Sequence, residues 1–346
     1  AINFYGGMQI ALPQLEKEGL RMELEVLDSR ANAGYVEKTL LANPDLKQKD
    51  LIFGPYRRDN ISLVADFARK NNITFVSPYS ASSGLSPLNP NYIQVNPSFN
   101  THCYALTKHA LDHFTPSNII LVARNEQEST RFPIFQDAMK TILMTTDSME
   151  FKEFIVPSSY TDFDETMLAE FLEMEGPVAF IVPSWSDEIF VSNFLRVLDI
   201  ARIVNEEKEV RVYGMPQWKE FSKVDYDYFE KLDLHISCAS FVNDKSLEVK
   251  KFRKDFFNKF NTIPTEEAYL GYDVMLYFGR MLLKYGTKFQ SHLETEPGRY
   301  LQGDFKIEPV LQAGSTAEEP GQIEQFENKA IFILRYNEYQ FQPSGQ

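Results

Sequence analysis

Cysteine is scarce in this sequence: the 346 residues include only Cys103 and Cys238. Two cysteines so far apart cannot form the disulfide framework of a small secreted domain or the multi-cysteine site of a structural metal. Cys103 could act as a nucleophile only beside an activating histidine, and its neighbour His102 would point away from it on a predicted helix. We therefore expect Cys103 to be a small buried thiol.

Positive charge and long apolar runs are also lacking. The chain has 35 lysines and arginines against 49 aspartates and glutamates, which gives a formal net charge of −14 at pH 7. That charge opposes sequence-independent binding to nucleic acid phosphates. No apolar run approaches the about 20 residues that a membrane-spanning helix needs. The sequence predicts a protein that has no nucleic acid partner and is not embedded in a membrane.

The motifs of common enzyme classes are absent as well. There is no G-x-S-x-G elbow, no P-loop, no H-E-x-x-H and no G-x-G-x-x-G, each of which positions a nucleophile, a phosphate, a metal or a dinucleotide. His109 and His113 are four residues apart on a predicted helix, but no carboxylate or cysteine at matching spacing completes a metal site, which is more typical of a surface or lobe-edge pair. We predict no enzymatic activity, no catalytic residue, no metal and no cofactor.

What the sequence does have is a regular alternation of strand-like and helix-like segments, which is typical of an α/β protein with largely parallel sheets. The first series includes predicted strands at Arg21–Ser29 (RMELEVLDS), Leu51–Phe53 and Ile73–Pro78. After the turn-like TPSN, the strand-like IILVAR (Ile119–Arg124) begins a second series. Two similar series in a chain of this length predict two similar lobes.

One loop of the first series, in LIFGPYRRDN (Leu51–Asn60), places two arginines directly after a strand. Gly54 and Pro55 stop the apolar run, and a helix is expected to follow. Ligands commonly bind at the carboxyl ends of parallel strands and at the N-terminus of the next helix. Arg57 and Arg58 are therefore either site residues or solvated residues of the first helical turn.

Three longer stretches occur in an order that carries a family resemblance. They are FYGGMQIALPQLEKEGLRMELEVLDS, then IFGPYRRDNISLVADFARKNNITFVSPYSASS, and then KKFRKDFFNKFNTIPTEEAYLGYDVMLYFGRML with Pro264 and the triplet Gly271, Tyr272, Asp273. Together they resemble the type I periplasmic binding proteins, the family that includes the branched-chain amino acid receptors of bacterial ABC transporters. The resemblance implies two similar lobes, each with a mainly parallel sheet flanked by helices. It also implies that the family's first strand, with its pocket loop, would precede Ala1, so that lobe 1 lacks a strand here.

The same resemblance implies where the chain divides. Lobe 1 is expected to comprise residues 1–116 and 242–327, and lobe 2 residues 117–241 and 328–346, with three crossings between them. A ligand in the cleft between the lobes would stabilise their closed form through its higher affinity for that form. Tyr272 and Asp273 match a family pattern, but we expect their helix to pack beneath the cleft, with Asp273 capping or bridging locally.

Loops that follow the predicted strands supply the expected ligand-binding residues. Compared with amino acid receptors of the family, the first lobe 1 loop has arginines where serine-like residues are common, and Ala81 stands where a threonine is common. An arginine could replace those hydroxyls with a charge-assisted hold on an anion. Each tryptophan either stacks on a ligand or packs within its lobe. The full expected set is Tyr56, Arg57, Arg58, Tyr79, Ser80, Ala81, Ser82, Arg124, Asn125, Ser184, Trp185, Gln217 and Trp218.

The resemblance implies a periplasmic or otherwise extracytoplasmic solute-binding protein that serves an ABC permease. Its ligand would be a small polar or anionic organic molecule, with amino acid-like compounds among the candidates, and membrane anchoring through a segment outside this sequence would be compatible with that role. The alternative is a cell-envelope scaffold or regulatory interaction protein of the same fold with a degenerate pocket, because hydroxyl residues are replaced in both pocket loops.

Overall fold

A computed structural model of the protein describes residues 1–145, 149–157, 163–205, 208–312 and 321–345. The chain divides into two compact units: unit 1 is Ala1–Ser98 with Ala239–Ala330, and unit 2 is Phe99–Cys238 with Ile331–Gln346. The chain therefore passes from one unit to the other three times, and neither unit is continuous in sequence.

The helices and strands follow one another along the chain in four blocks. The first block of unit 1 contains α1 (Ile2–Lys17), α2 (Ala33–Tyr35), a π-helical turn (Val36–Leu40), a 3-10 helix (Pro44–Gln48), β1 (Leu51–Phe53), α3 (Arg58–Asn71), β2 (Thr74–Ser77) and β3 (Tyr92–Gln94). The first block of unit 2 contains α4 (Phe99–Leu111), a 3-10 helix (Pro116–Asn118), β4 (Ile119–Ala123), α5 (Glu126–Ser129), α6 (Phe132–Leu143), β5 (Lys152–Ile155), a 3-10 helix (Glu165–Leu168), α7 (Ala169–Leu172), β6 (Val178–Ile181), α8 (Glu188–Val204), β7 (Val210–Gly214), a 3-10 helix (Pro216–Glu220), α9 (Tyr226–Lys231) and β8 (His235–Cys238).

The return to unit 1 adds α10 (Leu247–Phe260), α11 (Glu266–Tyr285), a 3-10 helix (Gly286–Thr295), β9 (Gly298–Arg299), β10 (Asp304–Phe305), β11 (Ile307–Leu311) and β12 (Ile323–Asn328). The last block, in unit 2, contains β13 (Phe332–Asn337) and β14 (Gln340–Pro343).

The sheet of unit 1 has five strands in the order β1-β2-β3-β12-β11. The first four are parallel, and β11 pairs antiparallel with β12. Side chains alternate between the two faces, as the pleat requires. Val76 and Ile93 share a core with α1 and α11, whereas Phe75 and Tyr92 share another with α3. Because helices cover both faces, every residue of β2 and β3 is buried, whichever face its side chain is on.

Helices α1 and α11 approach each other closely because glycines lie where they cross. A Cβ added to Gly271 would lie 1.9 Å from the carbonyl oxygen of Phe4, and one added to Gly7 would lie 1.8 Å from that of Ala268. Only residues without a side chain fit at these two points. The glycine of the Gly271, Tyr272, Asp273 triplet is therefore explained by backbone packing.

The sheet of unit 2 has seven strands in the order β14-β13-β8-β7-β6-β4-β5. Strands β5, β4, β6, β7 and β8 are parallel, and the terminal hairpin β13–β14 adds two antiparallel strands next to β8. Every residue of β4 and β6 is buried, which fits their continuous apolar sequences. The predicted α/β class, with mainly parallel sheets flanked by helices in both halves of the chain, is confirmed.

The division between the units differs from the predicted residue numbers. The crossings lie at 98/99, 238/239 and 330/331, whereas we expected them at 116/117, 241/242 and 327/328. The largest difference concerns α4, which belongs to unit 2. Within that unit the Nδ1 atom of buried His102 lies 2.9 Å from the hydroxyl oxygen of Ser237 in β8.

The predicted strand at Arg21–Ser29 is wrong, because residues 20–29 form neither helix nor strand. Its alternating sequence suits a strand, but a strand also needs a hydrogen-bonded neighbour, and the described part of the unit 1 sheet ends at β1. Among the described residues, no helix is both long and apolar enough to cross a lipid bilayer.

Candidate functional site

Four strand ends of unit 1 define its candidate site. The parallel strands β1, β2, β3 and β12 end at Phe53, Ser77, Gln94 and Asn328, so their carboxyl ends lie along one edge of the sheet. In open α/β sheets ligands bind outside this edge. The turn after β1 depends on Gly54, whose φ of +77° lies in the left-handed region that favours glycine.

Two predicted residues, Tyr56 and Tyr79, come together at this edge. Their ring centroids are 4.6 Å apart with the planes at 63°, an edge-to-face contact. Tyr56 is 62% exposed, whereas the Tyr79 hydroxyl is buried and, within the described residues, has no hydrogen-bond partner. Burial raises the pKa of Tyr79, so its phenol stays neutral. The pair therefore offers the exposed Tyr56 ring to a neighbouring molecule, while the Tyr79 hydroxyl is buried behind it.

Cavities lie beside this tyrosine pair, and two of them share Tyr56, Pro78 and Tyr79 as wall residues. The first, which we call the polar cavity, has a volume of about 260 Å³ and is also lined by Asn96 and by residues at the start of α11. The second, the apolar cavity, has a volume of about 370 Å³ and lies among α1, residues 23–29 and β1.

The polar cavity is lined by acidic groups. Glu266, Glu267 and Asp304 are among its wall residues, and its described lining contains no lysine, arginine or histidine. A hydrogen bond donated by the Thr265 hydroxyl holds the pKa of Glu267 below its usual value, so this carboxylate is ionised at neutral pH. Arg299 pairs with Asp304 at 3.1 Å, so the negative charge of the polar cavity comes mainly from Glu266 and Glu267, and it favours a positively charged group.

Asp273, the last residue of the triplet, forms part of the same wall and is fully buried. Its carboxylate accepts hydrogen bonds from the backbone N–H groups of Leu301, Gln302 and Gly303 at 2.9, 2.9 and 3.1 Å. Burial raises the pKa of Asp273 to about 7, against the opposing effect of these three donors. The expected local bridging role of Asp273 is confirmed, since it fixes the 301–303 loop against α11.

The two arginines of the first loop directly follow Tyr56, a wall residue of both cavities. Arg57 precedes α3 and donates from Nη1 to the carbonyl oxygen of Ala31 at 3.3 Å, while Arg58 is the first residue of α3, and both are exposed. Neither is among the described wall residues of the polar or the apolar cavity. Both arginines are thus exposed at the start of α3, and a part for either of them in ligand binding stays a prediction.

The second loop keeps its serines near the tyrosine pair. The Ser80 hydroxyl accepts a hydrogen bond from the backbone N–H of Ser82 at 3.2 Å, and Ala81 between them is half-buried. Asn96 donates from Nδ2 to the Tyr79 carbonyl oxygen at 2.8 Å, which fixes the loop directly before these serines. Ser80, Ala81 and Ser82 follow the wall residue Tyr79 without lining either cavity themselves.

In unit 2, the loop after β4 is built around a buried glutamate. Asn125 caps α5 by accepting from the Glu128 N–H at 2.9 Å, and Glu128 in turn accepts from the Arg124 N–H at 3.0 Å. The Arg124 guanidinium donates to Asp187 at 2.6 Å, at the start of α8. This contact and backbone N–H donors hold the pKa of Asp187 below its usual value despite partial burial. Arg124 and Asn125 thus join two strand-end loops of unit 2.

The two tryptophans of unit 2 have different environments. Trp185 is partly exposed and meets the His102 ring edge-to-face at a centroid distance of 5.4 Å. Trp218 is fully buried, and its Nε1–H donates to the Ser184 carbonyl oxygen at 2.8 Å. A Cβ on Gly214 would lie 2.5 Å from the Trp218 ring, so the indole packs directly on the backbone of β7.

Trp218 therefore cannot offer an exposed indole to a ligand, and as a binding residue it was predicted wrongly. Ser184 is equally buried and acts through its backbone. Gln217, beside Trp218, is partly exposed and donates from Nε2 to Glu220 at 2.9 Å. Of this group, Trp185 and Gln217 retain accessible side chains.

In the histidine pair of α4, one member is exposed and the other is partly buried. His113 is exposed, but His109 is partly buried, with Nδ1 at 2.9 Å from the Tyr213 hydroxyl and Nε2 at 3.1 Å from the Ser344 hydroxyl. Burial, with the nearby His235 second, lowers the pKa of His109 to about 3. Within the described residues, no group of three or more His, Cys, Asp or Glu side chains could hold a metal ion. Cys103 is fully buried, and burial raises its pKa, which confirms the expected inert thiol.

Several wall residues of the polar cavity escaped the sequence analysis, namely Asn96, Ser240, Glu266, Glu267 and Asp304. Asn96 lies two residues after the end of β3, so the strand-end argument used for the other loops could have found it. Glu266 and Glu267 begin α11, where acidic residues are common for helix-dipole reasons alone. Their sequence position therefore gave no separate signal of a site.

When the chain is compared with known proteins, similar ones are found by comparing structures and not by comparing sequences. No protein-family model matches the sequence, and no curated protein sequence matches it. A Rhodospirillum rubrum protein assigned as a branched-chain amino acid ABC transporter matches with a TM-score of 0.70 at 13% identity, over 99% of this chain and 94% of the other. An ABC transporter substrate-binding protein from Desulfitobacterium hafniense, solved in complex with Leu, matches with a TM-score of 0.60 at 13% identity, over 98% and 95%.

A third match is to part of a longer protein. Full-length LpoA from Haemophilus influenzae has a TM-score of 0.62 at 11% identity, and the match covers 100% of this chain but 56% of that one. All three matches include both units and nearly the whole of this chain. At these identities the likeness concerns the fold, and it agrees with the element order and sheet topology described above. The chain has the type I periplasmic-binding-protein fold.

Proposed function

We propose that the protein is a non-enzymatic, extracytoplasmic solute-binding protein of ABC-type transport, and that the polar cavity of unit 1 takes part in holding an amino acid-like solute. The observation that carries the proposal is the position of this cavity at the carboxyl ends of four parallel strands. The match to a substrate-binding protein in complex with Leu supports it. Closure of the two units around the solute stays a prediction.

The charge of the polar cavity sets the class of solute. With Glu266, Glu267 and Asp304 in its wall and no basic side chain in the described lining, the cavity favours an ammonium group over a second carboxylate. Of the small polar or anionic ligands expected from the sequence, the proposal therefore favours an amino acid-like solute over an anion held by Arg57. An apolar side chain of such a solute could lie against Tyr56, whose ring is largely exposed.

Isothermal titration calorimetry tests the proposal with leucine, lysine, glutamate and succinate. We expect saturable binding of leucine or lysine, weaker binding of glutamate, and none of succinate, which lacks an ammonium group. Binding of succinate alone would contradict the assigned solute class, and the absence of saturable binding across this panel and a wider set of amino acids, amides and short peptides would contradict the solute-binding role.

Single substitutions locate the site. Glu267→Gln should weaken an ammonium ligand by about 1.5–3 kcal/mol, since a hydrogen bond to a charged group is lost. Tyr56→Ala should weaken it by about 1 kcal/mol through loss of the ring contact. Tyr104→Ala, which removes an exposed tyrosine of α4, and Arg57→Ala should leave affinity unchanged. Equal losses in all four variants would remove the polar cavity from the site.

A second candidate is a cell-envelope scaffold, as considered from the sequence. The match to LpoA favours it, because there the fold forms 56% of a longer chain, and Ala81 replaces a hydroxyl in the second loop. Affinity capture from envelope extracts distinguishes the two candidates. A partner retained by the Tyr56→Ala and Glu267→Gln variants, together with no bound solute, would favour the scaffold.

A further inference from the structure

One side of α10 carries cationic and apolar side chains together. Leu247, Lys250, Lys254 and Phe257, which we call the α10 stripe, follow one another at intervals of three, four and three residues. Residues at such intervals lie on one side of an α-helix. Leu247 is 77% and Phe257 50% exposed, and both lysines are exposed as well. The buried residues of α10 lie on its other side and pack against α11, so unit 1 leaves the stripe uncovered.

A groove of about 670 Å³ lies beside the C-terminal half of the stripe, between α10 and the loop of residues 261–265 that leads into α11. Its wall includes Arg253, Lys254, Phe257, Ile263, Pro264 and Tyr269. Pro264 and Tyr269 are buried, whereas Ile263 is 76% exposed. Ile263 and Phe257 thus form an exposed apolar patch in a concave surface, and exposed apolar patches with polar rims mark interaction sites.

The charge of α10 differs from that of the chain as a whole. The chain has a net charge of −14, yet α10 contains five lysines and arginines against two carboxylates. Three of these cations have partners: Lys251 with Asp255, Arg253 with Asp244, and Lys259 with the carbonyl oxygen of Gln9. Within the described part of the chain, Lys250 and Lys254 have no ion pair and no side-chain hydrogen bond. The two cations without a partner are therefore the two that lie on the stripe.

The other charged groups of the groove are fixed in place. Arg253 donates from Nε to the Tyr269 hydroxyl at 2.5 Å and from Nη2 to Asp244. Because Asp244 neutralises part of its charge, the attraction for an anion comes mainly from Lys250 and Lys254. Glu266, at the start of α11, is a wall residue of both this groove and the polar cavity. Carboxylates of a partner would therefore lie toward α10 and away from Glu266.

The pattern of the stripe selects one kind of partner. From Leu247 to Phe257 the stripe is about 15 Å long, at about 1.5 Å per residue, which is the length of three turns of another helix. An anionic membrane would be repelled by the whole net charge of −14. A second copy of the stripe would bring lysines against lysines. A helix with two carboxylates between apolar residues complements both the lysines and the apolar ends.

We propose that the α10 stripe and the groove beside it form a docking surface for an acidic amphipathic helix of another protein. The carboxylates of that helix lie against Lys250 and Lys254, and one of its apolar side chains enters the groove between Phe257 and Ile263. Helices bind to grooves in this way through side chains spaced three and four residues apart. The proposal does not rest on the proposed solute binding, and its test is made without a solute.

Fluorescence anisotropy of labelled peptides tests this surface on the full chain at about 0.15 M salt, where distant charges are screened. The acidic peptide is an alanine-rich helix of about 20 residues, long enough to be helical alone. It carries Leu, Glu, Glu and Leu at intervals of three, four and three residues, a pattern that is the same in either direction. In a second peptide lysines replace both glutamates. We expect saturable binding of the acidic peptide and at least about tenfold weaker binding of the lysine peptide.

The double variant Lys250→Glu, Lys254→Glu should reverse this preference. Its matched control is Lys251→Glu, Lys259→Glu, which changes the charge of the same helix equally but off the stripe, and which should keep the parent's preference and affinity. Phe257→Ser should weaken the acidic peptide at least about fivefold, whereas Leu283→Ser, at an exposed apolar position of α11, should not. Circular dichroism checks that every variant is folded.

Three results would overturn the proposal. The first is no saturable binding of the acidic peptide to the parent chain, and the second is an equal loss of binding in the two double variants. The third is use of the stripe by a different partner while the acidic peptide stays unbound. Vesicles of phosphatidylglycerol and phosphatidylcholine test a membrane by co-sedimentation, and analytical ultracentrifugation tests a second copy. In either assay the Lys250→Glu, Lys254→Glu variant shows whether the stripe is responsible.

Discussion

Replacement of Gly271 by alanine tests how the core of unit 1 is held together. Gly271 lies in α11 where the backbone of α1 crosses it. The added Cβ would lie 1.9 Å from the Phe4 carbonyl oxygen, 2.8 Å from its carbonyl carbon and 3.0 Å from its Cα. All three atoms belong to the backbone of a helix, so no side-chain rotation can relieve the contact.

The expected change in the free energy of unfolding for Gly271→Ala follows from two opposing effects. A carbon–oxygen contact is comfortable at about 3.3 Å, so α1 must move by about 1.4 Å or lose its contact with α11. Such overpacking costs about 1–3 kcal/mol, and a backbone contact that nothing can relieve belongs at the upper end. Alanine regains about 1 kcal/mol of helix propensity relative to glycine. We expect a net loss of about 2 kcal/mol in the free energy of unfolding of unit 1.

Urea unfolding followed by circular dichroism measures this loss, and Gly279→Ala is the matched control. Gly279 is in the same helix and gains the same propensity, but its added Cβ would meet the Leu15 side chain, with Cδ1 at 2.5 Å. A side-chain end can rotate or shift, so we expect a net change near zero. Equal stabilities of the two variants, or a Gly271→Ala protein more stable than the parent, would refute the account of the crossing.

Two further predictions concern buried titratable groups. Asp273→Ala should destabilise unit 1 by more than about 3 kcal/mol, because three backbone N–H groups at residues 301–303 lose their acceptor, and Asp273→Asn, which keeps one oxygen, should cost less in the same urea assay. In unit 2, burial lowers the pKa of His109 to about 3 and that of His235 to about 4, against about 6.5 in the unfolded chain. Between pH 6.5 and 4 the unfolded chain therefore binds protons that the native unit does not, so the stabilisation present above pH 6.5 is lost as the pH falls. His109→Gln should reduce the pH slope of stability by about 1.4 kcal/mol per pH unit in that window, and parallel pH profiles of parent and variant would contradict this.

The sequence analysis was most successful for segments that are well buried, above all for strands that are buried on both faces of their sheet. Strands such as β4 (Ile119–Ala123) and β6 (Val178–Ile181) are short apolar runs between turns, and such runs have few other structural solutions in a chain of alternating elements. The helix expected after Gly54 and Pro55 is α3, and its residues Ile61, Val64, Ala65 and Ala68 are all buried. For these segments local pattern and tertiary environment agree.

The failures concern properties that a local pattern does not contain. Residues 21–29 alternate like a strand but lack a partner. Trp218 follows a strand like a pocket residue, yet its burial depends on Gly214 beneath it and on the distant Ser184 carbonyl. The periodicity of α4 showed that it has an apolar face without showing which unit covers that face. The order of charged residues likewise gave no sign that Glu267, rather than Arg57, lines the polar cavity.

The interleaved division of the chain has a consequence for synthesis on the ribosome. Unit 1 receives residues from both sides of unit 2, so β11 and β12 of its sheet emerge only after β4 to β8 have been made. The five parallel strands of unit 2 can assemble while the first 98 residues still await their partners, among them α11 and its glycine crossing. A holding chaperone that shields nascent apolar surface would therefore be needed longer by residues 1–98 than by unit 2.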